Sequence, residues 1–182
     1  MTPRQRRLSN EYAGLQRLAA ARPEISVQVT REEMGVPVRY LVLYHLRSLC
    51  GVTNVEHLGE DGYENEPLYA DEFRLSVSFP PSYPAIDAMP VLEFEVCDEE
   101  HRPIPHPWHP NIRYFGAFSG AVCMNYTDSY DSVAWAVDRV LSYLRYELYH
   151  AENEPPYPED LKVARWVLQN EDKIKTDNNR DE

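Results

Sequence analysis

Four segments of alternating or continuous apolar residues follow one another with only turns and one acidic loop between them, and this constrains the chain more than any other feature. In EFRLSVSFP, Phe73, Leu75, Val77 and Phe79 point one way and Arg74, Ser76 and Ser78 the other, the period of two expected of a half-buried strand. ISVQVT sets Ile25, Val27 and Val29 against Ser26, Gln28 and Thr30, and VLEFEV puts Leu92, Phe94 and Val96 on one side. VRYLVLYHLRSLCGV is apolar on both faces over much of its length and reads as one strand in mid-sheet. The connections are a turn at Met34 to Pro37, an exposed acidic stretch from Glu56 to Pro67, and the proline-rich PPSYPAIDAMP. None is long enough for a helical crossover, so the four strands should form an antiparallel meander.

Helical periodicity flanks this block. Leu8, Tyr12, Leu15 and Ala19 make a stripe in LSNEYAGLQRLAAARP, which Pro23 ends. Val133, Val137, Val140, Leu141, Leu144 and Leu148 make another, starting after Ser132 as N-cap. An ENEPPYPED break, a short helix LKVARWVLQN and a charged tail follow. From Cys97 to Ser132 no regular pattern holds, and a segment of that length inside a compact domain is usually functional. The expected class is α+β, with helices packed on one face of an antiparallel sheet. One domain is expected over residues 1–172 of the 182, with 173–182 as a polar, disordered tail.

The formal charge of −12 argues against nucleic acid and anionic membranes as partners. A local basic patch gathers Arg4, Arg6, Arg7, Arg17 and Arg22 near the N-terminus. Cys50, Cys97 and Cys123 form an odd set without a CxxC pair, which suits a reducing compartment better than a disulfide framework or structural zinc. The basic start MTPRQRRLSNEY leads into no apolar h-region, and no apolar run reaches spanning length. A soluble, unexported, cytoplasmic protein is expected. His101, His106 and His109 with Cys97 and Cys123 have irregular spacing, so neither a metal nor a cofactor is expected.

The stretch HPNIRYFGAFSGAVC, from His109 to Cys123, is the least ordinary part of the long segment. Taken alone, Cys123 is a small buried hydrophobe or a nucleophile; an irregular segment just outside a sheet gives a nucleophile the access it needs. A histidine-activated hydrolase is one chemistry open to it. Cys50 and Cys97 sit at strand ends in apolar surroundings and read as packing residues.

At these residues the chain resembles the ubiquitin-conjugating enzymes, the E2 family. The resemblance rests on FRLSVSFPPSYPAIDAMPVLEF, on HPN at His109, Pro110 and Asn111 after Trp108, on GAVCM around Cys123, on Trp135 opening a helix, on ENEPPYP and on VARW. It runs over roughly residues 8–170 and implies the UBC fold: N-terminal helix, four-stranded meander, long active-site segment, C-terminal helices. It also implies that Cys123 accepts the C-terminal carboxyl of a ubiquitin-like modifier from an E1-like enzyme as a thioester and passes it to an amine. An incoming acyl group already activated as a thioester needs no dedicated histidine base. Asn111 matches the family residue that stabilises the oxyanion or orders the loop that does. His109 and Pro110 would fix the turn presenting Asn111, and Trp135 would be structural. The alternative within this fold is a non-catalytic variant that binds a ubiquitin-like protein without a thioester.

The sequence departs from the family in several places. The stretches from Asn111 to Cys123 and from Cys123 to Trp135 are longer than usual. Ala136, Val137 and Asp138 stand where Ser-Pro-Ala is common, which argues against a standard RING-type E3 partner. Asp128, Asp131 and Glu154 are candidates for the acidic residue near the attacking lysine. The chain is expected to stop before the family's fourth helix. These departures resemble E2-like proteins encoded in bacterial operons beside an E1-like enzyme. By the same analogy Arg6, Arg7 and Arg17 would meet an acidic surface on the E1, and Tyr83, Ile86 and Met89 lie in the loop used toward E3 partners, although packing of a core end explains the last three better.

Overall fold

The computed structural model describes residues 1–85, 88–124 and 132–174. Helix α1 (Pro3–Ala21) begins at a capping box: Thr2 Oγ1 accepts from Gln5 N at 3.1 Å, and Gln5 Oε1 accepts from Thr2 N at 2.7 Å. Two donors that no helical carbonyl can reach are thereby satisfied. Leu8 and Leu15 of the expected stripe are fully buried, and Tyr12 stacks on Tyr40 at 5.6 Å. The stripe also carries Glu11, a buried carboxylate that periodicity alone does not reveal.

Six strands follow: β1 (Ile25–Glu33), β2 (Val36–Tyr44), β3 (Ser48–Val52), β4 (Pro67–Ala70), β5 (Phe73–Ser78) and β6 (Val91–Phe94). One sheet has the order β1-β2-β5-β6, antiparallel throughout, so the four-stranded meander forms as the alternation implies. Phe73, Leu75 and Val77 of β5 and Phe94 of β6 are buried on the face that α1 and α2 (Val133–Leu144) cover.

The segment VRYLVLYHLRSLCGV is a correction. It is not one strand but two: β2 ends at Tyr44, and β3 leaves the first sheet to pair with β4, a strand the sequence reading missed. The break falls after His45, whose N–H donates to Glu24 O at 2.7 Å as the last rung of the pairing with β1. Leaving the sheet lets Leu49 and Val52 join a second apolar cluster with Trp108, Val163, Ala164, Trp166 and Val167, which α3 (Leu161–Gln169) closes. Lys173, the first residue of the expected tail, is held there: its Nζ reaches Glu66 at 2.8 Å and its carbonyl accepts from Tyr69 Oη.

Helix α2 starts at the expected cap, with Ser132 Oγ accepting from Trp135 N at 3.2 Å, but it stops at Leu144. Leu148, read as part of its apolar face, is 38% exposed instead. The chain turns at Tyr146, whose φ is +55° and whose hydroxyl donates to Trp108 O. This early stop brings the backbone of residues 148–150 against the HPN turn. Among the described residues no helix is long and apolar enough to cross a membrane.

Candidate functional site

The stretch between Asn111 and Cys123 is a hairpin-like excursion whose neck joins the two residues. Cys123 N donates to Asn111 O at 2.9 Å, Ile112 and Val122 form a bridge, Arg113 N donates to Ala121 O at 2.9 Å and Gly120 N to Arg113 O at 2.8 Å. Its return limb lies along the free edge of β6, where Phe94 N donates to Gly120 O at 2.8 Å and Val122 N to Leu92 O at 3.3 Å. Gly120 is required there: its φ is +96°, and a Cβ would sit 2.2 Å from Phe94 O. The sheet thus fixes the limb that ends at Cys123.

The outgoing limb is anchored on the other side. Tyr114 packs edge-on to Trp108 with ring centres 4.5 Å apart and donates its hydroxyl to Cys50 O at 3.0 Å. Arg113 pairs with Glu159 at 2.8 Å. Asp160, the N-cap of α3, is buried and uses both carboxylate oxygens: Oδ1 accepts from Lys162 N and Val163 N, Oδ2 from Tyr114 N and Phe115 N. Its own N–H donates to Pro110 O at 3.1 Å. One residue therefore ties together the cap of α3, the insert and the HPN turn. An acidic residue just before the apolar run of LKVARW is an N-cap signal in the sequence; its second set of contacts is not.

Within the turn His109 is fully enclosed. Asn111 N donates to its Nδ1 at 3.1 Å, and Nε2 lies 3.2 Å from Leu148 O, which fixes the tautomer with the proton on Nε2. Burial drives its pKa down to about 3, so it is neutral. With both ring nitrogens engaged it holds the turn and has no lone pair to offer a thiol. His106 stacks on Tyr114 at 4.3 Å, and burial lowers its pKa as well. Asn111 is 4% exposed, and its Oδ1 accepts from His150 N at 3.0 Å. The amide is thereby oriented, with Nδ2 as its remaining donor. Cys123 is half-buried, and Tyr143 Oη donates to its carbonyl at 3.3 Å.

The other candidates fall in different places. Trp135 is the third residue of α2, half-buried, with the Arg139 guanidinium 5.3 Å from its ring centre. Glu154 is exposed; its carbonyl accepts from His150 Nε2 at 3.0 Å, so it sits one contact from the segment that holds Asn111. Asp128 and Asp131 lie outside the described residues, as does Ile86. Met89 is half-buried, and Tyr83 is 4% exposed. Burial pushes the Tyr83 phenol up to about 12, so it donates to Glu11 Oε1 at 2.7 Å. Arg7 meets the same carboxylate oxygen at 2.7 Å, and Glu11 Oε2 accepts from Val133 N, the first residue of α2. Of the three basic candidates on α1, Arg7 is thus partly a core ligand, whereas Arg6 and Arg17 are exposed. Ala136 and Val137 are fully buried, and Asp138 pairs with Arg22 at 3.0 Å, so these positions serve the core and α1. Among the described residues no group of three or more His, Cys, Asp or Glu is placed to hold a metal ion.

No protein-family model matches the chain, and no curated protein matches it. It is similar to the crystal structure of a "putative ubiquitin conjugating enzyme from Plasmodium yoelii", at 18% identity and a TM-score of 0.51, over 94% of this chain and 88% of that one. A likeness at that identity shows the fold alone, and the fold it shows is the UBC-like arrangement of N-terminal helix, four-stranded antiparallel sheet and C-terminal helices.

Proposed function

We propose that this protein is an E2-like transferase that carries a ubiquitin-like modifier on Cys123. The observation that carries the reading is the neck of the insert, which holds Asn111 and Cys123 in register by a 2.9 Å backbone bond. The Cys123 thiolate attacks the modifier's terminal thioester carbonyl on an E1-like enzyme, forming a new C–S bond and releasing the E1 thiol. In the second step a target amine attacks that carbonyl, the C–S bond breaks, the amine's proton leaves to solvent, and the Cys123 thiolate departs. Asn111 Nδ2 is the donor available for the oxyanion that develops between those events.

Neither step needs a histidine base, a metal or a cofactor, because the acyl group arrives activated. The engaged ring of His109 agrees with this chemistry and weighs against a Cys-His hydrolase. Arg6 and Arg17, which face solvent on α1, are the residues offered to an acidic E1 surface. Incubation with the cognate E1-like enzyme, modifier and ATP tests the reading: it requires an adduct on Cys123 that added thiol reverses.

A further inference from the structure

We infer that Tyr143 is a positioning residue for Cys123, clamping the carbonyl side of the nucleophile while Asn111 clamps the amide side. The inference rests on the thioester reading above and adds a residue to it. Four contacts close a circuit. Cys123 N donates to Asn111 O at 2.9 Å, Asn111 N donates to His109 Nδ1 at 3.1 Å, the His109 ring stacks on the Tyr143 ring at 4.8 Å and 21°, and Tyr143 Oη donates back to Cys123 O at 3.3 Å. Both peptide groups flanking the Cys123 Cα are therefore held from two independent elements, the HPN turn and α2. Tyr143 is 2% exposed and projects from a helix whose N-terminus is fixed by Ser132 and Glu11. Arg139 Nε, one turn earlier, donates to Tyr143 Oη at 3.2 Å, so the hydroxyl accepts from a cation while it donates to the carbonyl.

The consequence is geometric. With N–H and C=O both held, the Cα–Cβ bond of Cys123 has a fixed direction, and the Sγ samples only side-chain rotation. Attack trajectories are sensitive to displacements of an ångström or less. A lost hydroxyl would release the carbonyl side and widen the range of Sγ positions without altering the thiol itself.

The variant Tyr143→Phe removes the hydroxyl and keeps the ring stack on His109. Two measurements on the full chain separate the clamp from the chemistry. Hydrogen exchange of the peptide covering residues 119–124 should accelerate about fivefold in Tyr143→Phe, the equivalent of one net hydrogen bond of ~1 kcal/mol, with peptides of β2 and β5 unchanged. Discharge of the preformed Cys123 thioester to free lysine should fall about fivefold in maximal rate, with the amine concentration for half-maximal rate unchanged. Tyr143→Leu, which also loses the stack, should be slower still. Wild-type exchange in Tyr143→Phe would overturn the clamp. Faster exchange with wild-type discharge would overturn its role in transfer. If the unmodified protein forms no thioester, the functional reading fails, and the exchange measurement alone decides the clamp.

Discussion

Cys123 donates its backbone N–H to the carbonyl of Asn111 at 2.9 Å across the neck of the IRYFGAFSG excursion. The excursion leaves at Ile112, packs on Trp108 and β6, and returns at Val122, so its two ends are held side by side.

Gly120 should be the least replaceable residue of that loop. Gly120→Ala combines a left-handed φ with a Cβ on top of Phe94 O, and is expected to cost at least about 2 kcal/mol in urea unfolding. Gly116→Ala has φ +88° but open space around the added methyl, so its cost should stay near 1 kcal/mol.

Asp160 accepts four backbone N–H groups, and replacing it with Ala leaves them without that partner. Asp160→Ala should lose about 2–4 kcal/mol of stability, more than a simple N-cap loss of about 1 kcal/mol, because the insert is released together with α3. Equal hydrogen exchange in the peptides of residues 112–118 before and after substitution would contradict that coupling.

Asn111 offers two groups that substitution can separate. Asn111→Asp keeps an oxygen for His150 N but loses the Nδ2 donor, whereas Asn111→Ala loses both. If Nδ2 stabilises the oxyanion, both variants should discharge thioester to lysine about 10²-fold more slowly while loading from E1 changes little. Wild-type discharge in Asn111→Asp would assign Asn111 to loop ordering alone.

His109 links the turn to pH. Its folded-state pKa of about 3 lies below the ordinary 6.5, so between those values the unfolded chain binds a proton that the folded chain does not. Stability contributed by the neutral, buried ring is fully present above pH 6.5 and declines as pH falls toward 3, by up to ~1.4 kcal/mol per pH unit. Burial moves His106 the same way. Urea midpoints between pH 7 and 5, above the bulk of carboxylate titration, should fall more steeply for the wild type than for His109→Gln. Parallel slopes would contradict a neutral buried His109.

Much of this arrangement was legible in the sequence because it is periodic. The alternation in β1, β5 and β6 placed the sheet, and Ser132 placed the start of α2. What escaped depends on contacts between distant segments. VRYLVLYHLRSLCGV has no residue that forbids a continuous strand; it divides because Leu49 and Val52 find Trp108 and Trp166. Glu11 looked like any polar residue on a helix until Tyr83, Arg7 and the first N–H of α2 enclosed it. Tyr143 sits among apolar neighbours of α2 with nothing local to mark its hydroxyl. At the site the motif residues could be named, but their closed circuit, and the hairpin shape of the insert, exist only in three dimensions.

The most direct measurement is intact mass after mixing the protein with its cognate E1-like enzyme, modifier and ATP. The expected result is one adduct of modifier mass, reversed by thiol, present in Cys50→Ala and Cys97→Ala and absent in Cys123→Ala. No adduct with a cognate set, or one that persists in Cys123→Ala, would contradict the assignment of Cys123 as the acceptor.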